Sequence, residues 1–186
     1  MSASPLRALT ERLEAADAVD AVATPVSRAA RGVLGSGGLK DVLRGTWLGH
    51  ALHPLLTDVV VGSFTSATVL DVVGGDDDSV QRLIAVGIAA YPPTALTGVS
   101  DWSDTAERDP GIRRAGLVHA GLNAGALSLY VASLAARRRG DTGRGRLLGL
   151  AGAGALGAAG YLGGHLSYVR GARVERATPG AAPDPA

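Results

Sequence analysis

Residues 49–58 read GHALHPLLTD, and this stretch opens an apolar run that continues to Val73. From Pro54 to Val73 the run has 20 residues, which at ~1.5 Å per residue matches the ~30 Å hydrocarbon thickness of a bilayer. Proline suits a first helical turn, where its missing N–H is not needed. Asp58 and Asp71 lie inside the run, and an ionised group at membrane depth costs ~2.5 kcal/mol or more unless it faces protein or water. The run therefore predicts a membrane-spanning helix with one inward face.

The composition favours a membrane bundle over an ordinary soluble core. Hydrophobic residues make up 46% of the sequence, and there are 27 glycines but one phenylalanine. Small residues allow membrane helices to approach each other closely. A net charge of +1 gives no basic excess that would indicate nucleic acid, and the absence of cysteine excludes disulfides, thiolate zinc sites and a cysteine-held iron–sulfur cluster in this chain. The first 20 residues lack the pattern of a cleaved export signal.

Three further apolar blocks follow the first, and polar segments separate them. A hydrophilic loop is predicted from Ser103 to Arg114. We predict an all-α, four-helix transmembrane bundle with spans near Pro54–Val73, Leu83–Val99, Ala115–Ala136 and Leu147–Tyr168. An amphipathic, interfacial N-terminal segment (1–45), on the membrane surface or against the bundle, precedes the four-span membrane domain (46–174), and a disordered tail (175–186) follows it. A soluble bundle of Ala/Gly-rich helices is the alternative.

Alternation of the spans brings the histidines together. We call the end of the bundle that carries His53 face A and the opposite end face B. All four histidines fall at face A, and His53, His119 and His165 lie on three different spans at similar depth. If the chain binds a prosthetic group, we predict that these three supply the ligands, either for a haem b, held axially by imidazole, or for a divalent metal such as zinc, copper or iron. In the metal alternative Asp58 or Asp101 joins the ligand set, and in the competing interpretation the histidines are hydrogen-bonding groups between helices.

Charged residues near the ends of the spans are interpreted without a binding site. Asp71 lies close enough to face B to be a solvated helix end, and Arg137–Arg139 is interpreted as a topology signal. Ten Lys/Arg residues flank the spans at face A against six at face B, although those at face B are more densely clustered. Because no export signal is found, we expect a cytoplasmic (inner) membrane protein with both termini in the cytoplasm.

Five ordered motifs carry a resemblance to a known family. They are GTWLGHALHPLLTD, VLD, GVSDWSDT, GLVHAGLN and GYLGGHLSYVRGARV. Over residues 46–174 the chain resembles an uncharacterised bacterial membrane family, the domain of unknown function 2231. Similar segments in actinobacteria are often followed by a Rieske-type iron–sulfur domain, and the high content of Ala and Arg looks actinobacterial. The resemblance implies a redox association and a fold, but no activity.

Three classes of function stay open. The leading hypothesis is a membrane anchor or assembly subunit for a Rieske-type iron–sulfur partner, and the alternative is a redox-active membrane protein that binds haem or a metal ion. A transporter or proton path using Asp58 is the weakest, because the sequence shows no inverted repeat of the kind many transporters have. No nucleophile–base pair or phosphate-binding loop indicates an enzyme. Association with a second copy of the chain, as a homo-oligomer, is left open.

Overall fold

A computed structural model of the chain describes residues 4–35 and 37–172, and the regular elements in these ranges are all helical. Four of the described helices are long and apolar enough to cross a membrane, which confirms the predicted all-α architecture with four spans. The described α-helices are, in chain order, α1 (Pro5–Glu14), α2 (Asp20–Leu34), α3 (Gly38–Arg44), α4 (Leu52–Val73), α5 (Asp77–Thr105), α6 (Pro110–Arg138) and α7 (Thr142–Gly164), and α7 continues into a π-helical turn, His165–Val169. The tail expected over 175–186 lies outside the described residues.

Aspartate side chains begin the second, third and fourth spans. The carboxylates of Asp76, Asp109 and Asp141 each accept a hydrogen bond from the backbone N–H three residues later, at 2.8, 3.1 and 3.1 Å. Such caps satisfy a donor that the start of a helix leaves unpaired, and losing one typically costs ~1 kcal/mol. Gly74, with φ of 79°, ends α4 in the left-handed region that other residues avoid. The spans therefore alternate in direction through short connections.

The hydrophilic loop predicted from Ser103 to Arg114 is wrong, because helices occupy most of that range. α5 continues to Thr105 and α6 begins at Pro110. The polar residues at the end of α5 are not solvated: Asp104 accepts a hydrogen bond from Lys40 Nζ at 2.6 Å and others from Arg44. Charged partners from the N-terminal segment thus allow the helix to continue where the sequence predicted a loop.

The N-terminal arm, defined as α1–α3, packs across the face-A end of α5 and α6. Ion pairs hold it there: Asp20 of α2 binds Arg113 and Arg114 of α6, and Glu14 of α1 binds Arg170 at 3.0 Å. The arm thus contacts the bundle, and its placement at a membrane surface stays a prediction. The arm therefore covers the end of the molecule at which the histidines lie.

The α4–α5 and α6–α7 hairpins repeat one another. Large side chains of α4 and α6 meet across the bundle, and each helix carries a stripe of residues spaced alternately by four and three, which is the spacing of one helical face. Each residue of one stripe has its equivalent on the other 66 positions later, the separation of the ion-paired Asp71 and Arg137. The stripes are His53, Thr57, Val60, Phe64, Ala67 and Asp71 on α4, and His119, Asn123, Ala126, Tyr130, Ser133 and Arg137 on α6.

The middle of the α4–α6 interface is a pair of stacked aromatic rings. Phe64 and Tyr130 lie with their centroids 3.9 Å apart and their planes 3° from parallel. Both side chains are fully buried, and Gly87 of α5 leaves the space that the Phe64 ring occupies. The hydroxyl of Tyr130 lies 3.2 Å from that of Thr68, so its polar end is hydrogen-bonded within the bundle. The rings fix the depth at which the two hairpins meet.

Candidate functional site

His53 lies in the first turn of α4, and its imidazole packs against α5. Nδ1 lies 3.0 Å from the carbonyl oxygen of Thr94 and 3.2 Å from the hydroxyl of Thr97. Gly98 provides the space for the ring, since a Cβ at that position would lie 2.7 Å from the imidazole Cε1. A carbonyl can only accept, so Nδ1 carries the proton in this bond, and in the neutral imidazole Nε2 then keeps its lone pair.

His119 repeats this arrangement against α7. Its Nδ1 donates to the carbonyl oxygen of Ala159 at 2.9 Å, and a Cβ on Gly163 would lie 2.9 Å from its Cε1. Asn123, the equivalent of Thr57, bonds in the same way: its Nδ2 donates to the backbone carbonyl of His119 at 2.9 Å, and the Thr57 hydroxyl donates to that of His53 at 2.8 Å. The same Asn123 nitrogen lies 3.1 Å from Nε2 and 3.4 Å from Nδ1 of His119, so it stands over the imidazole ring and not along the Nε2 lone pair.

We call His53 and His119 the imidazole pair. Each precedes the stacked ring on its own helix, Phe64 or Tyr130, by eleven residues, which is close to three helical turns and leaves it on the same face. The two histidines therefore lie at equal depth on the two stripes. In its neutral form, each imidazole of the pair has its tautomer fixed by a backbone carbonyl.

The structure does not add His165 to the imidazole pair. His165 begins the π-helical turn after α7, and its Nε2 lies 2.8 Å from a carboxylate oxygen of Glu14. Both side chains of this contact are largely buried, at 8% and 12% exposure, and Arg170 binds the second oxygen of Glu14. His165 therefore connects the fourth span to the arm. The fourth histidine, His50, is exposed before α4.

The two aspartates predicted as alternative metal ligands do not belong to the stripes of α4 and α6. Asp58 is exposed on α4, and Asp101 is buried near the face-A end of α5. Within residues 4–35 and 37–172, no group of three or more His, Cys, Asp or Glu side chains is placed to hold a metal ion. The ligand set of His53, His119 and His165 with Asp58 or Asp101 stays a prediction for the metal alternative.

A charged site at face B was missed by the sequence analysis, and two interpretations there are wrong. Asp71 is not a solvated helix end, since its side chain is 8% exposed, and Arg137 is not only a topology signal, since its side chain is 1% exposed. Arg137 Nη2 donates to both oxygens of Asp71 at 2.8 and 2.6 Å, and Nη1 binds Asp77. Gly145 of α7 leaves the space that the Arg137 side chain fills. The equal depth of an acid on α4 and a base on α6 was the signal available in the sequence.

Comparison with known proteins assigns a family and no activity. Neither the curated proteins nor the solved structures contain a match. A match to the family described as predicted membrane protein (DUF2231) spans residues 49–176, a range that contains the four spans, the imidazole pair and the Asp71–Arg137 ion pair. This description agrees with the four long apolar helices of a multi-pass membrane protein. The chain therefore belongs to the DUF2231 family of predicted membrane proteins.

Proposed function

We propose that this chain is a membrane electron carrier that binds haem b between His53 and His119. The observation that supports the proposal is the repeated geometry of the imidazole pair, in which each Nδ1 donates to a backbone carbonyl at 3.0 or 2.9 Å. Such bonds orient an imidazole and leave Nε2 to face a metal. Haem held by two histidines exchanges single electrons and needs no further substrate-binding group.

The donor set fits haem better than it fits a bare divalent ion. Porphyrin supplies four of the iron ligands, so two imidazoles complete the coordination. A zinc ion requires about four ligands, at least three of them from protein even in catalytic sites. Among the described residues the imidazole pair is not accompanied by a third group of that kind. The haem alternative therefore takes precedence over zinc, copper or a bare iron ion.

The residues around the imidazole pair have separate roles in this proposal. Thr94 and Ala159 fix the two rings through their carbonyl oxygens, and Gly98 and Gly163 allow each ring to lie against the neighbouring helix. Asn123 and Thr57 donate to the backbone carbonyls of His119 and His53, one turn earlier on each helix. The neighbouring helices restrict water at the rings, which are both half-buried in the isolated chain.

An absorption spectrum tests the proposal directly. Protein produced with ample haem and purified in mild detergent is expected to show a Soret band that His53→Ala and His119→Ala each remove. His165→Ala is the matched control, because His165 binds Glu14 outside the pair, and it is expected to keep the band. His50→Ala is a second control on the exposed histidine. No band in the unaltered protein, or a band that persists in both pair variants, rejects the proposal.

The second candidate is an anchor or assembly subunit for a Rieske-type iron–sulfur protein in the cytoplasmic membrane. Two observations favour it: the chain has no cysteine to hold a cluster of its own, and the arm presents large apolar side chains outward, among them Leu6 and Leu9 of α1. A partner that docks on the arm would cover these side chains. Purification from membranes tests this role, and a colourless bundle recovered with an iron–sulfur partner supports it over the haem proposal.

A further inference from the structure

We propose that a basic cavity between the arm and the end of α5 binds a phosphate-bearing anion at the membrane surface. The cavity has a volume of about 610 Å³ and lies at face A, away from the imidazole pair. Four cationic side chains line it, and Asp104 is the carboxylate among its lining residues; the four are Arg31, Lys40, Arg44 and Arg108.

The charges of the cavity do not cancel. Asp104 is shared between Lys40, at 2.6 Å, and Arg44, so one carboxylate faces two cations. Lys40 has 6% of its side chain exposed, which makes it a built part of the cavity and not a freely moving surface residue. Arg31 pairs with Glu107, whose side chain is 64% exposed. Arg108 makes no ion pair within the described part of the chain, so the lining keeps an excess of positive charge.

Two glycines with positive φ contribute to the lining of the cavity. Gly35 and Gly37 have φ of 56° and 111°, conformations that favour glycine. They stand between the end of α2 and the start of α3. Arginine and lysine side chains that converge on such a space are the groups that bind phosphate oxygens in proteins.

The surroundings place the cavity where lipid headgroups lie. Asp104, at the end of a span, contributes to its lining. Large apolar side chains on the arm are exposed, namely Val33 at 84% and Leu39 at 65%, and so is Trp47 at 65%, just after the arm. A surface that combines exposed apolar residues with basic groups is typical of a segment lying in the membrane interface. The phosphate of an anionic lipid and free phosphate share the chemistry that this cavity recognises.

The test compares anions and two pairs of arginine substitutions. Native mass spectrometry of the full chain in detergent measures binding of phosphatidylglycerol and phosphatidylcholine, and calorimetry measures binding of inorganic phosphate. Arg31→Gln and Arg108→Gln leave the Asp104 ion pairs intact, so both variants are expected to fold. Arg108→Gln is expected to weaken anion binding about fivefold, the effect of ~1 kcal/mol per cation near a membrane surface, and the double variant further.

A matched control comes from a second cavity at face B, where Arg82 and Arg138 lie near Asp78. The Arg82→Gln/Arg138→Gln variant is expected to bind anions as the unaltered chain does. Selective binding of phosphatidylglycerol that the Arg31/Arg108 variant loses supports the proposal with lipid as the source, and binding of inorganic phosphate lost in the same way supports it with a free anion. Equal binding of both lipids without phosphate binding, or an equal loss in the face-B control, overturns it.

Discussion

Removing the guanidinium of Arg137 is expected to destabilise the bundle more than any other single change at face B. Arg137 donates to both oxygens of Asp71, and the side chains are 1% and 8% exposed. Arg137→Met therefore leaves a buried carboxylate without its partner, a change that costs ~3–5 kcal/mol in folded proteins. Asp77 also loses a contact, but its side chain is 30% exposed, so water screens that loss and it adds at most ~1 kcal/mol.

The two carboxylates provide graded comparisons. Asp77→Asn is expected to cost at most ~1 kcal/mol, because the contact it removes is partly solvated. Asp71→Asn keeps Arg137 paired with Asp77, so its cost should lie between those of the other two variants. The double variant Asp71→Asn/Arg137→Met has no buried charge left in the pair, and it is expected to be more stable than Arg137→Met alone.

Reversible unfolding in mixed detergent micelles, followed by circular dichroism, gives the free energy of unfolding of each variant. The double-mutant cycle then isolates the interaction between Asp71 and Arg137. An Arg137→Met cost no larger than that of Asp77→Asn would refute the role assigned to the buried pair. So would a double variant whose cost equals the sum of the two single costs.

Three further predictions concern the glycines, the arm and the topology. Gly98→Ala or Gly163→Ala should displace an imidazole and lower the free energy of unfolding by ~1 kcal/mol, while Gly157→Ala, with open space around its Cα, should be neutral or stabilising in the same unfolding assay. The hydrogen bond from Arg114 lowers the pKa of the Asp20 carboxyl. Ionised Asp20 therefore stabilises the docked arm above the unfolded pKa of about 3.9, and this stabilisation is lost as pH falls through the lower folded pKa. Limited proteolysis of the arm should therefore increase only in strong acid, and Asp20→Asn should raise proteolysis already at neutral pH. With both termini cytoplasmic, a reporter enzyme that is active only outside the cytoplasm, fused after residue 186, should be inactive, and strong activity would reverse the orientation.

The spans were predictable from the sequence because membrane thickness fixes the length of an apolar helix. The predicted start at Pro54 and the end at Val73 match α4 within two residues. The helix ends near face A were not predictable in the same way. Hydropathy describes each residue alone, and it cannot show that Asp104 is neutralised by Lys40, 64 residues earlier in the chain. The predicted loop was wrong for this reason.

The candidate site was predictable only in part. The sequence predicted that the histidines share face A because the spans alternate in direction. That prediction needs only the number of membrane crossings before each histidine. It could not separate the imidazole pair from His165, because the contact of His165 with Glu14 joins residues 151 positions apart. The 66-residue repeat is present in the sequence, but most equivalent positions carry different side chains. The repeat becomes evident only when the structure shows which residues of α4 and α6 lie opposite each other.

Facing positions in such a repeat constrain which side chains can be equivalent. Two aspartates in the place of Asp71 and Arg137 would repel each other in a low-dielectric interior, and the pair consists of opposite charges instead. Two aromatic rings can stack, and Phe64 with Tyr130 does so. The imidazole pair is histidine on both helices. If both side chains were protonated, two cations would lie at membrane depth, which is unfavourable. Two neutral imidazoles carry no such penalty, and the proposed haem requires two equivalent imidazole ligands, so histidine on both helices is what that proposal predicts.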